Sequence, residues 1–154
     1  PHGCFIGGIL HYLLSCANIC ITQKKEGVKM LIEMFSVDFD SSEAIYMQLR
    51  NQIILGIATA QIQEGDTLPS VRQLASGVGI NMHTVNKAYA LLQQEGILTM
   101  DRRRGAVIRI AGDKLMALEE MKGQLKVLLA KGCCKNISRE EVHQLIDEIY
   151  EEYK

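Results

Sequence analysis

Between Asp66 and Arg109 the basic side chains Arg72, Lys87, Arg102, Arg103, Arg104 and Arg109 outnumber the acids Asp66, Glu95 and Asp101, a local excess of +3. Arginine carries a planar, permanently charged fork that fits phosphate oxygens or a guanine edge, so the run 102–104 is suited to gripping a polyanion. The whole chain hides this, because its formal net charge is −1 over 154 residues. Attraction to phosphate follows local potential, and the compensating acids sit apart, around Glu140, Glu141, Asp147, Glu148, Glu151 and Glu152.

Other chemistries find little support. There is no Ser/His/Asp order, glycine-rich phosphate loop or carboxylate constellation, so no catalytic residue and no enzymatic activity are expected. Cys4, Cys16, Cys20, Cys133 and Cys134 form no CxxC pair and have no histidine at zinc-finger spacing, so neither a metal nor a cofactor is expected. Free thiols in a reducing cytoplasm are the simplest reading, and a vicinal redox sensor at Cys133 and Cys134 is the alternative.

The chain is apolar from Cys4 to Ile21, close to the roughly 20 residues that cross a bilayer. His11, Ser15 and Asn18 interrupt this stretch and no basic residue precedes it, which argues against a membrane span or a signal peptide. Lys25-Glu26-Gly27 is encodable as a ribosome-binding sequence just upstream of Met30. Residues 1–29 are therefore read as a non-native leader, with packing of the segment against the body as the rival.

The elements that must position the basic residues follow from periodicity. Ile45, Tyr46, Leu49, Ile53 and Ile57 recur at helical spacing behind Ser41 and Ser42 and predict a first helix. Glu64-Gly65-Asp66 marks a turn, and Ser70 behind Pro69 is placed to cap a short second helix with Val71, Leu74, Ala75 and Val78 inside. That helix ends between Gly77 and Gly79. Asn81 then caps a third, with Val85, Ala88, Tyr89 and Leu92 inward and His83, Asn86, Lys87 and Ala90 outward.

Beyond Gly96, β-prone runs at 97–100 and 106–110 flank Asp101-Arg102-Arg103-Arg104-Gly105 and predict a hairpin with a basic tip. Tyr46, Tyr89 and Phe39 are assigned to the core, which disfavours stacking on single-stranded bases. The expected fold is mainly α with a small β-hairpin: a winged helix-turn-helix over residues 30–112, followed by a two-helix C-terminal dimerisation tail over 113–154. In that architecture a polar helix end enters the major groove while the hairpin grips the backbone or minor groove.

The motifs Gly65-Asp66-x-Leu68-Pro69-Ser70-x-Arg72-x-Leu74-Ala75, Gly79-Ile80-Asn81-x-x-Thr84-Val85 and Glu95-Gly96-Ile97-Leu98 closely resemble the GntR family of bacterial regulators. The resemblance runs from about Ile45 to Ile110, and the short tail resembles the YtrA-like branch, which lacks the family's large effector domain. It implies DNA-contact positions at Arg72, at Asn81, His83, Thr84, Asn86 and Lys87, and at Arg104 and Gly105 of the wing. Arg102 and Arg103 join them as neighbours at the hairpin tip, suited to phosphate or a narrow minor groove. Met82 departs from the polar or proline residue common at its position, and Ala106 from a common threonine.

In the tail, Leu115, Leu118, Met121 or Lys122, Leu125 and Leu128 mark one amphipathic helix ending near Gly132. Ser138-Arg139-Glu140-Glu141 reads as a capping box that opens a second, with Val142, Leu145, Ile146, Ile149 and Tyr153 on one face. Two apolar stripes cannot both be buried within so small a tail, so a homodimer is expected, with folding back onto the same subunit as the rival. The functional expectation is a cytoplasmic repressor, not membrane-bound, that binds double-stranded DNA at an inverted-repeat operator. The YtrA-like resemblance suggests a transporter operon, and a small-molecule effector is left unassigned. The alternative is a winged-helix protein-interaction module without DNA binding.

Overall fold

The computed structural model describes residues 27–154; the first 26 residues, with Cys4, Cys16, Cys20 and the apolar run 4–21, lie outside it. Helix α1, residues 27–33, passes through Met30, and with the turn behind it lays Leu31, Ile32, Met34 and Phe35 against the core. Gly77 allows this approach, because a Cβ there would collide with the Ile32 side chain.

Phe35, rather than Phe39, takes the core position. Phe39 is 67% exposed, contrary to its assignment from sequence. It falls in a reversing loop where the Asp38 carboxylate accepts the Asp40 amide, so the chain turns before that ring can reach inward. Gln48 is buried beneath this loop. Its amide group donates to the Asp38 and Glu43 carbonyls at 2.9 and 2.8 Å and accepts from the Asp38 amide at 2.9 Å.

The winged-helix body then follows the expected order: α2 (Ile45–Ala58), α3 (Val71–Val78), α4 (Met82–Gln94), β1 (Leu98–Asp101) and β2 (Gly105–Ile108). Helix α4 packs against α2, α3 and β1. The core between them is built from Leu49 and Ile53 of α2, Leu74 of α3, Val85 and Leu92 of α4, and Leu98 and Ile108 of the hairpin. Complete burial of each such side chain is worth about 1.5–3 kcal/mol before the entropy of ordering it.

The strands pair antiparallel, with Leu98 opposite Ile108 and Asp101 opposite Gly105. They are slightly offset from the predicted runs, starting at Leu98 and closing at Ile108. Residues 65–68 add a third edge that the sequence did not announce. The Gly65 amide donates to the Ile108 carbonyl, the Ile108 amide to Asp66, and the Leu68 amide to Ala106, each at 2.8 Å, and Thr67 bridges Val107.

The tail consists of α5 (Lys114–Cys133), capped by the Asp113 carboxylate, and α6 (Arg139–Glu151). The Ser138 capping box forms as the sequence indicated, with the Glu141 side chain reaching back to the Ser138 amide at 2.7 Å. Among the described residues, neither helix contains a buried one. Among the described residues no helix is long and apolar enough to cross a membrane.

Candidate nucleic-acid interface

The start of α3 is set by reciprocal bonds. The Ser70 hydroxyl accepts the Gln73 amide at 3.3 Å and the Gln73 side chain accepts the Ser70 amide at 3.0 Å, satisfying two donors the helix cannot. Arg72, two residues past this cap, is exposed and forms no ion pair among the described residues. The turn to α4 pivots on Gly79, whose φ of +78° lies in the left-handed region that glycine adopts without penalty. Both Gly79 and Ile80 donate their amides to the Ala75 carbonyl, and Ile80 packs against the core, which fixes the turn.

Asn81 opens α4 by accepting the His83 amide on its Oδ1 at 2.8 Å. The inward face is as expected, with Val85, Ala88, Tyr89 and Leu92 buried. Asn81, His83, Asn86, Lys87 and Ala90 are exposed, and Thr84 is half-buried at the first turn. Lys87 does not simply extend into solvent: its ammonium lies 3.8 Å from the centre of the Tyr46 ring. This cation–π contact, worth about 0.5–1 kcal/mol at an exposed site, holds the Lys87 ammonium beside the Tyr46 ring of α2.

Two residue pairs tie α4 to its neighbours. Tyr89 donates its hydroxyl to the Pro69 carbonyl at 2.7 Å, tying α4 to the residue before the Ser70 cap. Burial raises the Tyr89 phenol well above its ordinary pKa, which keeps it a donor. At the far end Arg50 of α2 holds Glu95 with Nη2 at 2.6 Å from Oε1 and Nε at 3.0 Å from Oε2. Both partners are about one-third exposed, so this pair contributes about 1 kcal/mol or less.

The wing is shaped by Asp101. Its Oδ1 accepts the amides of Arg103 and Arg104, both at 2.8 Å, and so closes the tip over Arg102-Arg103-Arg104. Those two amides, Arg104's first, hold the carboxylate pKa below its usual range, aided by the charges of Arg104 and Arg109. Gly105 completes the turn at φ +82°. The three arginines are exposed, and among the described residues the guanidinium groups of Arg102 and Arg103 have no protein partner. Arg104 turns back: its Nη2 donates to the Gly65 carbonyl at 2.5 Å and to Thr67 Oγ1 at 3.3 Å.

Sequence reasoning singled out the basic and polar surface residues, the caps Ser70 and Asn81 and the turn at Gly79, and missed the roles of Asp101, Gln73 and the distant partners of Tyr89 and Arg104. Asp101 could have been found as an acid two and three residues before consecutive loop amides, the pattern of a side-chain turn. Gln73 could have been found as the last residue of Ser70-x-x-Gln73. The partners of Tyr89 and Arg104 carry no local signal, because each lies far away in sequence.

A short capped helix, a glycine turn, a second helix with an open polar face and an arginine-tipped hairpin define a winged helix-turn-helix, a class of DNA-binding fold. Residues 41–108 match the family described as bacterial regulatory proteins, gntR family. The chain is also 35% identical over 124 residues to the HTH-type transcriptional repressor YtrA of Bacillus subtilis (strain 168), covering 79% of this chain and 95% of that protein. The chain therefore belongs to the GntR family, and is a DNA-binding regulator of transcription.

Solved structures agree. A protein described as a transcriptional antiterminator from Listeria monocytogenes EGD-e superposes with a TM-score of 0.68 at 31% identity, over 75% of this chain and 89% of that one. YtrA from Sulfolobus acidocaldarius, a GntR-family transcription factor, superposes with a TM-score of 0.56 at 35% identity, over 66% of this chain and 98% of that one. The chain spans nearly the full length of both YtrA proteins, in keeping with the YtrA-like resemblance of its short tail.

Proposed function

We propose that this chain represses transcription as a cytoplasmic homodimer bound to an inverted repeat in duplex DNA, and acts as a regulator rather than an enzyme. The observation that carries the reading is the unburied tail. Leu115 and Leu128 are 67% and 63% exposed, and Leu118, Leu125, Leu145, Ile146 and Ile149 are exposed with them, while Val142 is half-buried. Helices α5 and α6 leave between them an apolar groove of about 670 Å³, lined by Leu125, Leu128, Ile137, Val142, Leu145 and Ile149 among others. So much apolar surface on one chain calls for a second copy, and a two-fold pair is the commonest way to cover it.

Pairing through the tail presents two α4 helices at a separation set by the assembly, to half-sites about one helical turn apart. In each half-site Asn81, His83 and Asn86, with Thr84 and Lys87 beside them, face base edges and phosphates from the start of α4. Arg72 and the wing at Arg102, Arg103, Arg104 and Gly105 hold the backbone. Base contacts then specify the site and arginine–phosphate contacts position the protein. Repression is supported by the Bacillus subtilis relative, which is named a transcriptional repressor.

Sedimentation of the full chain, alone and with a duplex enriched from a randomised pool, tests the reading. A dimer that binds a two-fold symmetric sequence is expected. The double variant Leu125→Glu, Leu128→Glu should sediment as a folded monomer and lose most of its affinity. A wild-type chain that stays monomeric on and off DNA would overturn the dimer.

A further inference from the structure

Met82 is the first residue of α4 and is 49% exposed, although it is the largest apolar side chain on the outward face of that helix. It takes no part in the core. Asn81 and His83 beside it in sequence and Asn86 one turn further on are exposed and polar. Single exposed apolar residues are ordinary on a protein surface. Here, however, the residue occupies the end of the helix that the proposed function places in the major groove.

The major groove offers one apolar group, the C5 methyl of thymine. Building on the DNA-binding reading above, we infer that Met82 contacts a thymine methyl in each half-site and so helps determine which sequence the protein selects. Its unbranched, polarisable thioether has three rotatable bonds with which to reach that methyl from the mouth of the helix. The polar neighbours cannot do this. Asn81 has its Oδ1 engaged by the His83 amide, and Asn86 and His83 read hydrogen-bonding edges, which do not distinguish a methyl from a hydrogen. Asn86 stands one turn above Met82 on the same face, so hydrogen-bond and methyl readout lie side by side.

Replacing thymine by deoxyuridine deletes the methyl and nothing else, which supplies the test. The full chain is first used to enrich duplexes from a randomised pool, and each thymine of the enriched site is then changed singly to deoxyuridine. At one thymine per half-site the wild type should bind about fourfold more weakly, and about fifteenfold when both half-sites are changed, as expected for one lost methyl contact each. Met82→Ser, a surface change that leaves the core intact, should show almost no penalty at that position, while Met82→Leu should keep it. An enriched site that binds tightly yet shows the same deoxyuridine response in wild type and Met82→Ser would overturn the inference and leave DNA binding standing. Failure to enrich any duplex would instead overturn the DNA-binding reading, and this inference with it.

Discussion

Tyr89 of α4 donates its phenolic hydrogen to the carbonyl of Pro69 at 2.7 Å, in the buried space where α4 meets the start of α3. One bond thus joins the helix offered to DNA with the residue that precedes the Ser70 cap. Angle and spacing between the two helices of the motif depend on it, together with the packing of Leu74 and Val85.

Tyr89→Phe keeps the ring and leaves the Pro69 carbonyl without that donor. Stability should fall by about 1–3 kcal/mol, the usual consequence of an unpaired buried polar group. The readout is a lower urea midpoint at unchanged slope. The wild type should also show an alkaline weakness that the variant lacks. Burial raises the phenol pKa in the folded chain, so above about pH 10 the unfolded chain releases a proton that the folded chain retains. This contribution is complete below that pH and is lost as pH rises beyond it. Urea midpoints followed from neutral to alkaline pH should decline more steeply for wild type than for Tyr89→Phe.

Asp101→Ala removes the acceptor of two wing amides from a fully exposed site, so little stability should be lost. The tip over Arg102–Arg104 loses its fixed shape, and DNA affinity should drop severalfold while the melting temperature stays within a few degrees of wild type. Because the folded carboxylate pKa is depressed, whatever Asp101 contributes is present above its unfolded pKa and fades as pH falls through the folded value. Asp101→Asn, which keeps an acceptor oxygen, should retain most of the affinity. Parallel melting and anisotropy measurements separate the two effects.

Gly79→Ala tests the turn. Apart from the adjoining residues, no atom among the described residues lies within 4 Å of where a Cβ would sit, so the cost is conformational, from holding alanine at φ +78°. About 1–2 kcal/mol of destabilisation is expected. Calorimetric melting of the variant should show this loss, and a cost near zero would mean that the turn relaxes.

Much of this was written in the chain. Helices α2, α3 and α4 carry apolar residues at a 3.6-residue repeat, and Ser70, Asn81 and Ser138 are side chains that cap helices by local bonds, so sequence neighbours suffice to announce them. Distant contacts were not legible. The pairing of Thr67 with Val107 is a single bridge with no alternation to betray it. Arg104 looks identical to Arg102 and Arg103 until residues 65–67 fold beside it. Phe35 precedes the reversing loop and Phe39 falls within it, a difference that no local pattern shows. The position of Lys87 depends on Tyr46, one helix away.

The salt dependence of DNA binding distinguishes the arginines. Among the described residues the guanidinium groups of Arg72 and Arg103 form no hydrogen bond or ion pair, whereas that of Arg104 is engaged by Gly65 and Thr67. If each of the first two neutralises a phosphate, Arg72→Ala and Arg103→Ala should each reduce the slope of log affinity against log salt by about one per half-site. Arg104→Ala should reduce it less and lower stability slightly. Titrations of one duplex at several salt concentrations give all three slopes.

The most direct test is an anisotropy titration of a pool-enriched duplex with the full chain, begun at low ionic strength and repeated as salt is raised. Saturation at two chains per duplex, with affinity falling linearly on logarithmic axes, is the predicted result. Folded protein that binds no duplex of any sequence at low salt would contradict the role given to α4 and the wing.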